Sequence, residues 1–163
     1  LDENGLPPEA LEIEIAENSL LDAERGQAAA DRLRHLGVRL VIDNFGTGYS
    51  SLVYLHRLAV ASLKIDRSLI ADIASNEDNA FITSAILALA RQLGVGTAAL
   101  GVETSALWAM LHAQGCDLLQ GYLICRPLPA DQLLEWARAH ERHAADWPAQ
   151  LAAQSQEPGV LSL

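Results

Sequence analysis

The feature that most restricts this chain is an alternation of two periodicities. Five short runs of β-forming residues, Leu11–Ile15, Val38–Asp43, Ala61–Asp66, Gly96–Val102 and Asp117–Leu123, are separated by segments with helical spacing. The clearest of those segments carries Ile82, Ala85, Ile86, Leu89 and Leu93 on one stripe. A shorter one carries Leu107, Met110 and Leu111. A last helix is expected to begin near Asp131, just after Pro127-Leu128-Pro129, and to run through Leu134 and Ala137. Successive strand-helix units of this kind demand parallel pairing, so the fold class is α/β, either a barrel or a doubly wound sheet.

Polar residues on the strands choose between the two. Alternate side chains of a strand share a face. Glu12 and Glu14 therefore oppose Leu11, Ile13 and Ile15. By the same rule Arg39, Val41 and Asp43 share a face, as do Ser62, Lys64 and Asp66, and Leu118, Gln120 and Tyr122. In strand after strand a polar residue comes late in the run on one face, which is how a TIM-like (β/α) barrel assembles its site. No Gly-x-Gly-x-x-Gly opens a helix, the signal expected of a dinucleotide-binding doubly wound sheet. Five strands are too few to close such a barrel, so a partial barrel is expected, with roughly three βα units lying upstream. Residues 1–143 read as the C-terminal part of a barrel domain. Residues 144–163, rich in Gln, Ser, Pro and Gly, read as a tail or linker.

Composition excludes several function classes. Half of the 163 residues are hydrophobic, enough for a substantial core. The net charge of −10 argues against general affinity for nucleic acid or an anionic membrane, which need clustered Lys and Arg. No apolar run reaches the ~18 residues of a membrane span. The start, LDENGLPPEAL, has no initiator Met and none of the basic and apolar regions of a signal peptide, so a fragment of a longer protein is expected. Cys116 and Cys125 fit no metal spacing and read as reduced thiols of a cytoplasmic chain, whose parent protein could still be membrane-anchored. His35, His56 and His112 are isolated, and His140 and His143, three apart, lack a third ligand for zinc. Ser50 and Ser51 lie in no Gly-x-Ser-x-Gly elbow and read as helix caps.

The chemistry converges on a few side chains around VIDNFGTGYSSL, residues 41–52. Glu14, Asp43 and the loop carbonyls after it could supply oxygen ligands to a hard cation such as Mg²⁺. Lys64 could neutralise a phosphate or orient a water, and Gln120 could hydrogen-bond a ligand. Each residue has a plainer alternative. A strand glutamate is often solvated or salt-bridged, Lys64 and Asp66 could pair with each other or with neighbouring strands, and Gly46 and Gly48 could be simple turn residues. Four strand ends aimed at one mouth favour the site.

These residues resemble the EAL domains of bacterial cyclic-di-GMP signalling over about residues 4–137. LEIEIAEN resembles the family's strand with Glu-x-x-Glu, and IDNFGTGYSSL its DDFGTGYSSL loop; SLKIDRSLI, GVET and LQGYLICRPLP follow in family order. The resemblance implies a modified TIM barrel that hydrolyses cyclic di-GMP to linear pGpG with Mg²⁺ or Mn²⁺. Carried over by position, Glu14 is a metal ligand and Asp43 the aspartate touching both metals. Glu17 anchors the loop Phe45–Ser50, which in the family couples ligand binding to dimerisation. Lys64 stands beside the attacking water, and Gln120, with Phe45 and Gly46, belongs to the ligand site. Glu103 is the second glutamate of the family's AEGVET segment. The implied partners are cyclic di-GMP, a second copy in a homodimer, and GGDEF or sensory domains in the parent chain.

Two departures mark this chain as degenerate. The family's second loop aspartate is Asn44, a weaker ligand for a hard dication. The first glutamate of AEGVET, the family's general base and a metal contact, is Leu100. Leucine neither takes a proton nor holds a cation, and loss of a general base typically costs about 10²–10⁴-fold in rate. The expectation is a catalytically impaired receptor or regulatory module. Two alternatives remain open: a slow phosphodiesterase using Glu103 as substitute base, and a docking scaffold that binds no nucleotide.

Overall fold

The computed structural model describes residues 1–18, 23–48, 55 and 57–141. Five strands form one parallel sheet in chain order: β1 (Glu12–Ala16), β2 (Arg39–Phe45), β3 (Ser62–Ile65), β4 (Gly96–Leu100) and β5 (Leu118–Gln120). The expected α/β class and partial-barrel order are therefore present, with strand ends displaced by at most three residues. The five described helices are α1 (Ala23–His35), α2 (Arg67–Ile70), α3 (Glu77–Leu93), α4 (Ser105–Ala113) and α5 (Ala130–Glu141). Ser50, Ser51, His56, His143 and the segment 144–163 lie outside the described residues, as do the expectations attached to them. Among the described residues, no helix is long and apolar enough to cross a membrane.

The parallel register sorts each strand into two faces. One carries Ile13, Ile15, Leu40, Ile42, Leu63, Ile65 and Ala99, and it packs beneath the helices. There Leu40, Ile42, Leu63, Ile65 and Ala99 are buried with Ala30 of α1, Leu69 and Ile70 of α2, Ile86, Leu87 and Ala90 of α3, and Leu107 and Leu111 of α4. The other face is concave in a barrel. It carries Glu12, Glu14, Arg39, Val41, Asp43, Ser62, Lys64, Ala98, Leu100, Leu118 and Gln120. Small residues keep its middle closed: Val41, Ser62 and Ala98 are buried, whereas Leu118 on the edge strand is 65% exposed.

Local chemistry sets the helix ends. The Asn76 side chain accepts from the amides of Asp78 and Asn79 at 3.1 and 3.2 Å, and α3 stops at Gly94 in the left-handed region. Thr104 caps α4 by accepting from Leu107 N. Helix α3 turns a different face inward than its apolar stripe predicts. Ile86 is buried as expected, but Thr83, Leu87 and Ala90 complete the buried face, while Ile82 and Ala85 are exposed. The helix is apolar almost all round, so periodicity left its orientation open and packing chose it.

The backbone approaches itself most closely after β5. Val102 N donates to Gln120 O, Leu123 N donates to Val102 O, and a Cβ on Gly121 would stand 2.0 Å from Val102 O. Gly121→Ala should therefore destabilise the domain by about 3 kcal/mol or more in urea denaturation. Gly94→Ala, with open space around its Cβ, should cost about 1–2 kcal/mol for its left-handed backbone. Burial pushes the Cys116 thiol pKa up. At mildly alkaline pH iodoacetamide should thus label Cys125, and should reach Cys116 only after unfolding, as peptide mapping would report.

Candidate functional site

One extra residue in β2 builds the mouth of the sheet. Ile42 pairs with Leu63 and Phe45 with Ile65, so β2 spends three steps where β3 spends two. This is a β-bulge, and its left-handed residue is Asn44, with φ 56°. Asparagine tolerates that conformation better than most side chains. The bulge lets Asp43 and Asn44 both stand at the rim while Phe45 returns to the core at 5% exposure. Without it, Phe45 would be carried to the solvent-facing side. Asn44 Nδ2 donates to Asp43 Oδ2 at 2.8 Å, so the amide serves as a neutral partner to the carboxylate it follows.

The turn after the bulge is held from β1. Glu17 is buried, at 5% exposure, and its Oε2 accepts from the amides of Gly46, Thr47 and Gly48 at 2.9, 3.1 and 3.1 Å. Three convergent amides of one turn make a nest for a single anionic oxygen. Glycine is favoured at Gly46 by its backbone, and Gly48 leaves room for the carboxylate. Gly46 has φ 100°, and a Cβ there would stand 2.5 Å from Leu69 Cδ1; a Cβ on Gly48 would press on the Glu17 carboxylate. Thr47 Oγ1 closes the turn by donating to Asn44 O at 3.0 Å. A cavity of about 370 Å³ opens at this rim, with Glu17, Asn18, Asn44, Thr47 and Asp66 in its lining.

The register brings Glu14, Asp43, Lys64, Leu100 and Gln120 onto the concave face. Glu14 is level with Val41, Lys64 with Ala98, and Leu100 with Gln120. Lys64 Nζ reaches across β2 and pairs with Glu14 Oε1. Asp66 is not its partner; that carboxylate caps α2 by accepting from Ser68 N at 2.8 Å. Leu100 is half-buried beside Gln120. Glu103 lies beyond the end of β4 and pairs with Arg67 at 2.7 Å. Gly101 makes room for that pair, since a Cβ there would stand 2.4 Å from Arg67 Cγ. Arg67 and Asn18 were not singled out from the sequence. Arg67 had a signal available, following the capping Asp66, but its partner is 36 residues away.

The donor set limits what could be held. Glu14 and Asp43 are the carboxylates on the concave face near the mouth, and Asn44 adds an amide oxygen. Among the described residues, no group of three or more His, Cys, Asp and Glu side chains is placed to hold a metal ion. By themselves the described residues supply fewer anionic oxygens than a pair of divalent cations shares. His112 has a plain structural role, stacked on Trp108 with ring centroids 4.9 Å apart.

The EAL domain family model matches residues 1–127. Over 146 residues the chain is 45% identical to "Cyclic di-GMP phosphodiesterase NbdA" of Pseudomonas aeruginosa, covering 89% of this chain and 19% of that protein. The structure of "PaMucR Phosphodiesterase, c-di-GMP complex" is 46% identical, with TM-score 0.78, covering 82% of this chain and 54% of that one. A manganese and cyclic-di-GMP complex of Klebsiella pneumoniae BlrP1 is 34% identical, with TM-score 0.73, covering 78% of this chain and 33% of that one. The chain thus spans about a fifth of the length of curated relatives it matches.

Removing the Glu17 carboxylate should release the turn more than the sheet. In Glu17→Ala, amide exchange at Gly46, Thr47 and Gly48 should accelerate about 10- to 100-fold, from the cost of unsatisfied donors. Amides of β3 should change little, and Glu17→Gln should fall between. Exchange mass spectrometry reads both segments.

Proposed function

The chain belongs to the EAL domain family, and on that premise we propose that it forms part of a degenerate EAL domain that binds cyclic di-GMP without effective hydrolysis. The observation that carries this reading is Leu100. The register sets it level with Gln120 on the concave face, at the position the family resemblance gives to the general base. An isobutyl group there can accept no proton from water. Asn44 supports the same conclusion, because its amide neutralises nothing and is turned to Asp43.

The groups that would recognise a phosphodiester remain. Lys64 lies on the concave face with 18% of its side chain exposed, and Gln120 is exposed at the rim. The Glu17-anchored turn that begins at Gly46 would border the ligand and transmit its presence to a homodimer contact, while Phe45, expected in the ligand site, stands behind it in the core. Relatives carry cyclic di-GMP in their names, and two diguanylate-linked activities occur in one similar protein, "Bifunctional diguanylate cyclase/cyclic di-GMP phosphodiesterase MucR" of Pseudomonas aeruginosa. A cytoplasmic regulatory module beside GGDEF or sensory domains is therefore the setting we assign. Mg²⁺ or Mn²⁺ would bind weakly here, for want of donors. Glu103 is a poor substitute base, since its pairing with Arg67 holds it beyond the strand end.

Titration calorimetry of the full-length protein with cyclic di-GMP in excess Mg²⁺ tests this. A saturating heat without continuing turnover, and no pGpG by chromatography, is the expected result. Turnover at the rate of active relatives would sink it, and absence of any binding heat would leave a docking scaffold. The double reversal Asn44→Asp, Leu100→Glu should raise pGpG formation about 10²–10⁴-fold if the lost base is what stops the reaction.

A further inference from the structure

The geometry points to a second ligand site at the end of the sheet away from the mouth: a cavity at the start of β4 that takes a neutral, flat heterocycle of the guanine type. The cavity holds about 300 Å³, within the range of small-ligand sites. Its walls are the end of α3, the segment leading into β4, and the turn between α4 and β5. All of them belong to residues 87–117, and β3 and β5 flank β4 on either side. Gly96 and Leu100 stand at opposite ends of β4, about 13 Å apart at the rise of a strand. No residue assigned to the mouth lines this cavity.

Two side chains set its chemistry. Arg91, in the last turn of α3, donates from Nη2 to Gln114 O at 3.0 Å, and among the described residues it pairs with no carboxylate. It lies across Gly115, where a Cβ would stand 3.0 Å from that nitrogen. A guanidinium carries five N–H donors in one plane, so most of its fork is left for a ligand. Asp117 is held from the other side, with Thr97 N and Oγ1 both donating to its Oδ2 at 2.8 Å. Its Oδ1 accepts from none of the described residues and is left for a donor.

These groups select against a free anion. Arg91 and Asp117 cancel in charge, and the cavity adjoins the C-terminal end of α3, where the helix dipole is negative. The complementary ligand is neutral, with two adjacent acceptors for the guanidinium and an N–H for the carboxylate. Guanine supplies O6 and N7 side by side, with N–H donors on the far side of O6, whereas adenine offers the fork a single acceptor. Gly94, Gly96 and Gly115 leave backbone bare along the wall, and Leu87 and Val95 add apolar surface, which suits a flat ring.

Guanosine is the probe, titrated into the full-length protein by calorimetry with adenosine as comparator. Guanosine should bind, and adenosine should bind at least about 10-fold more weakly, the discrimination of one bidentate pair. Arg91→Ala should weaken guanosine about 10- to 100-fold, and Arg91→Lys, which keeps the charge without the fork, should weaken it nearly as much. Exchange mass spectrometry of the wild type locates the ligand without any substitution: guanosine should slow amides 94–97 and 115–117. Protection confined to the mouth would overturn the inference, as would equal binding of adenosine or no binding of guanosine. A titration lost in Gln120→Ala but intact in Arg91→Ala would also overturn it. The site stands apart from the function proposed above, so failure to bind cyclic di-GMP would leave it untouched.

Discussion

A carboxylate buried at the end of a strand must be satisfied, and Glu17 is satisfied by the turn that follows a different strand. Its single oxygen takes the amides of residues 46 to 48, so the conformation of the loop after β2 is set from β1. The turn in turn requires the bulge at Asn44, because only the extra residue brings Phe45 back to the core before the chain reverses. Core packing, loop shape and the placement of Asp43 at the rim are consequences of one buried anion and one extra residue. The same geometry leaves little tolerance: Leu69 and Ile86 close over Gly46 from α2 and α3.

The mouth of the sheet is organised by pairing rather than by open charge. Lys64 holds Glu14, Asn44 holds Asp43, and Arg67 holds Glu103. Exposed ion pairs such as Arg67–Glu103, with side chains 61% and 40% exposed, add little to stability on their own. Their effect is positional. Arg67 lies over Gly101 and ties the start of α2 to the segment after β4, which carries Leu100 on its preceding residue. An apolar residue at that position is compatible with the fold because the concave face near it is already made of Val41, Ala98 and Leu118.

Much of the architecture was legible in the chain. The alternation of strand and helix signals, and the face shared by Glu14, Asp43, Lys64 and Gln120, follow from periods of two and 3.6. Those signals are local and repeat, so they survive without knowledge of the fold. Helix α3 marks where they fail: apolar residues on nearly every side gave its stripe no unique direction, and Ile82 and Ala85 ended outside. Pairings across the sheet were also beyond reach. Glu14 and Lys64 are 50 residues apart, and the choice between Asp66 and Glu14 as the lysine's partner depended on Asp66 being taken by Ser68 N.

The sequence by itself determined the family resemblance, the α/β class, and the two positions, Asn44 and Leu100, where that resemblance implies carboxylates, because residue identity and spacing carry all three. Tertiary structure decided what the remaining polar groups do. The bulge angle of Asn44, the three amides on Glu17, and the reach of Lys64 over β2 exist only once parallel strands stand side by side. Whether a carboxylate is a waiting ligand or a satisfied partner is a question of which donor lies within about 3 Å, and that distance is set by the packed sheet.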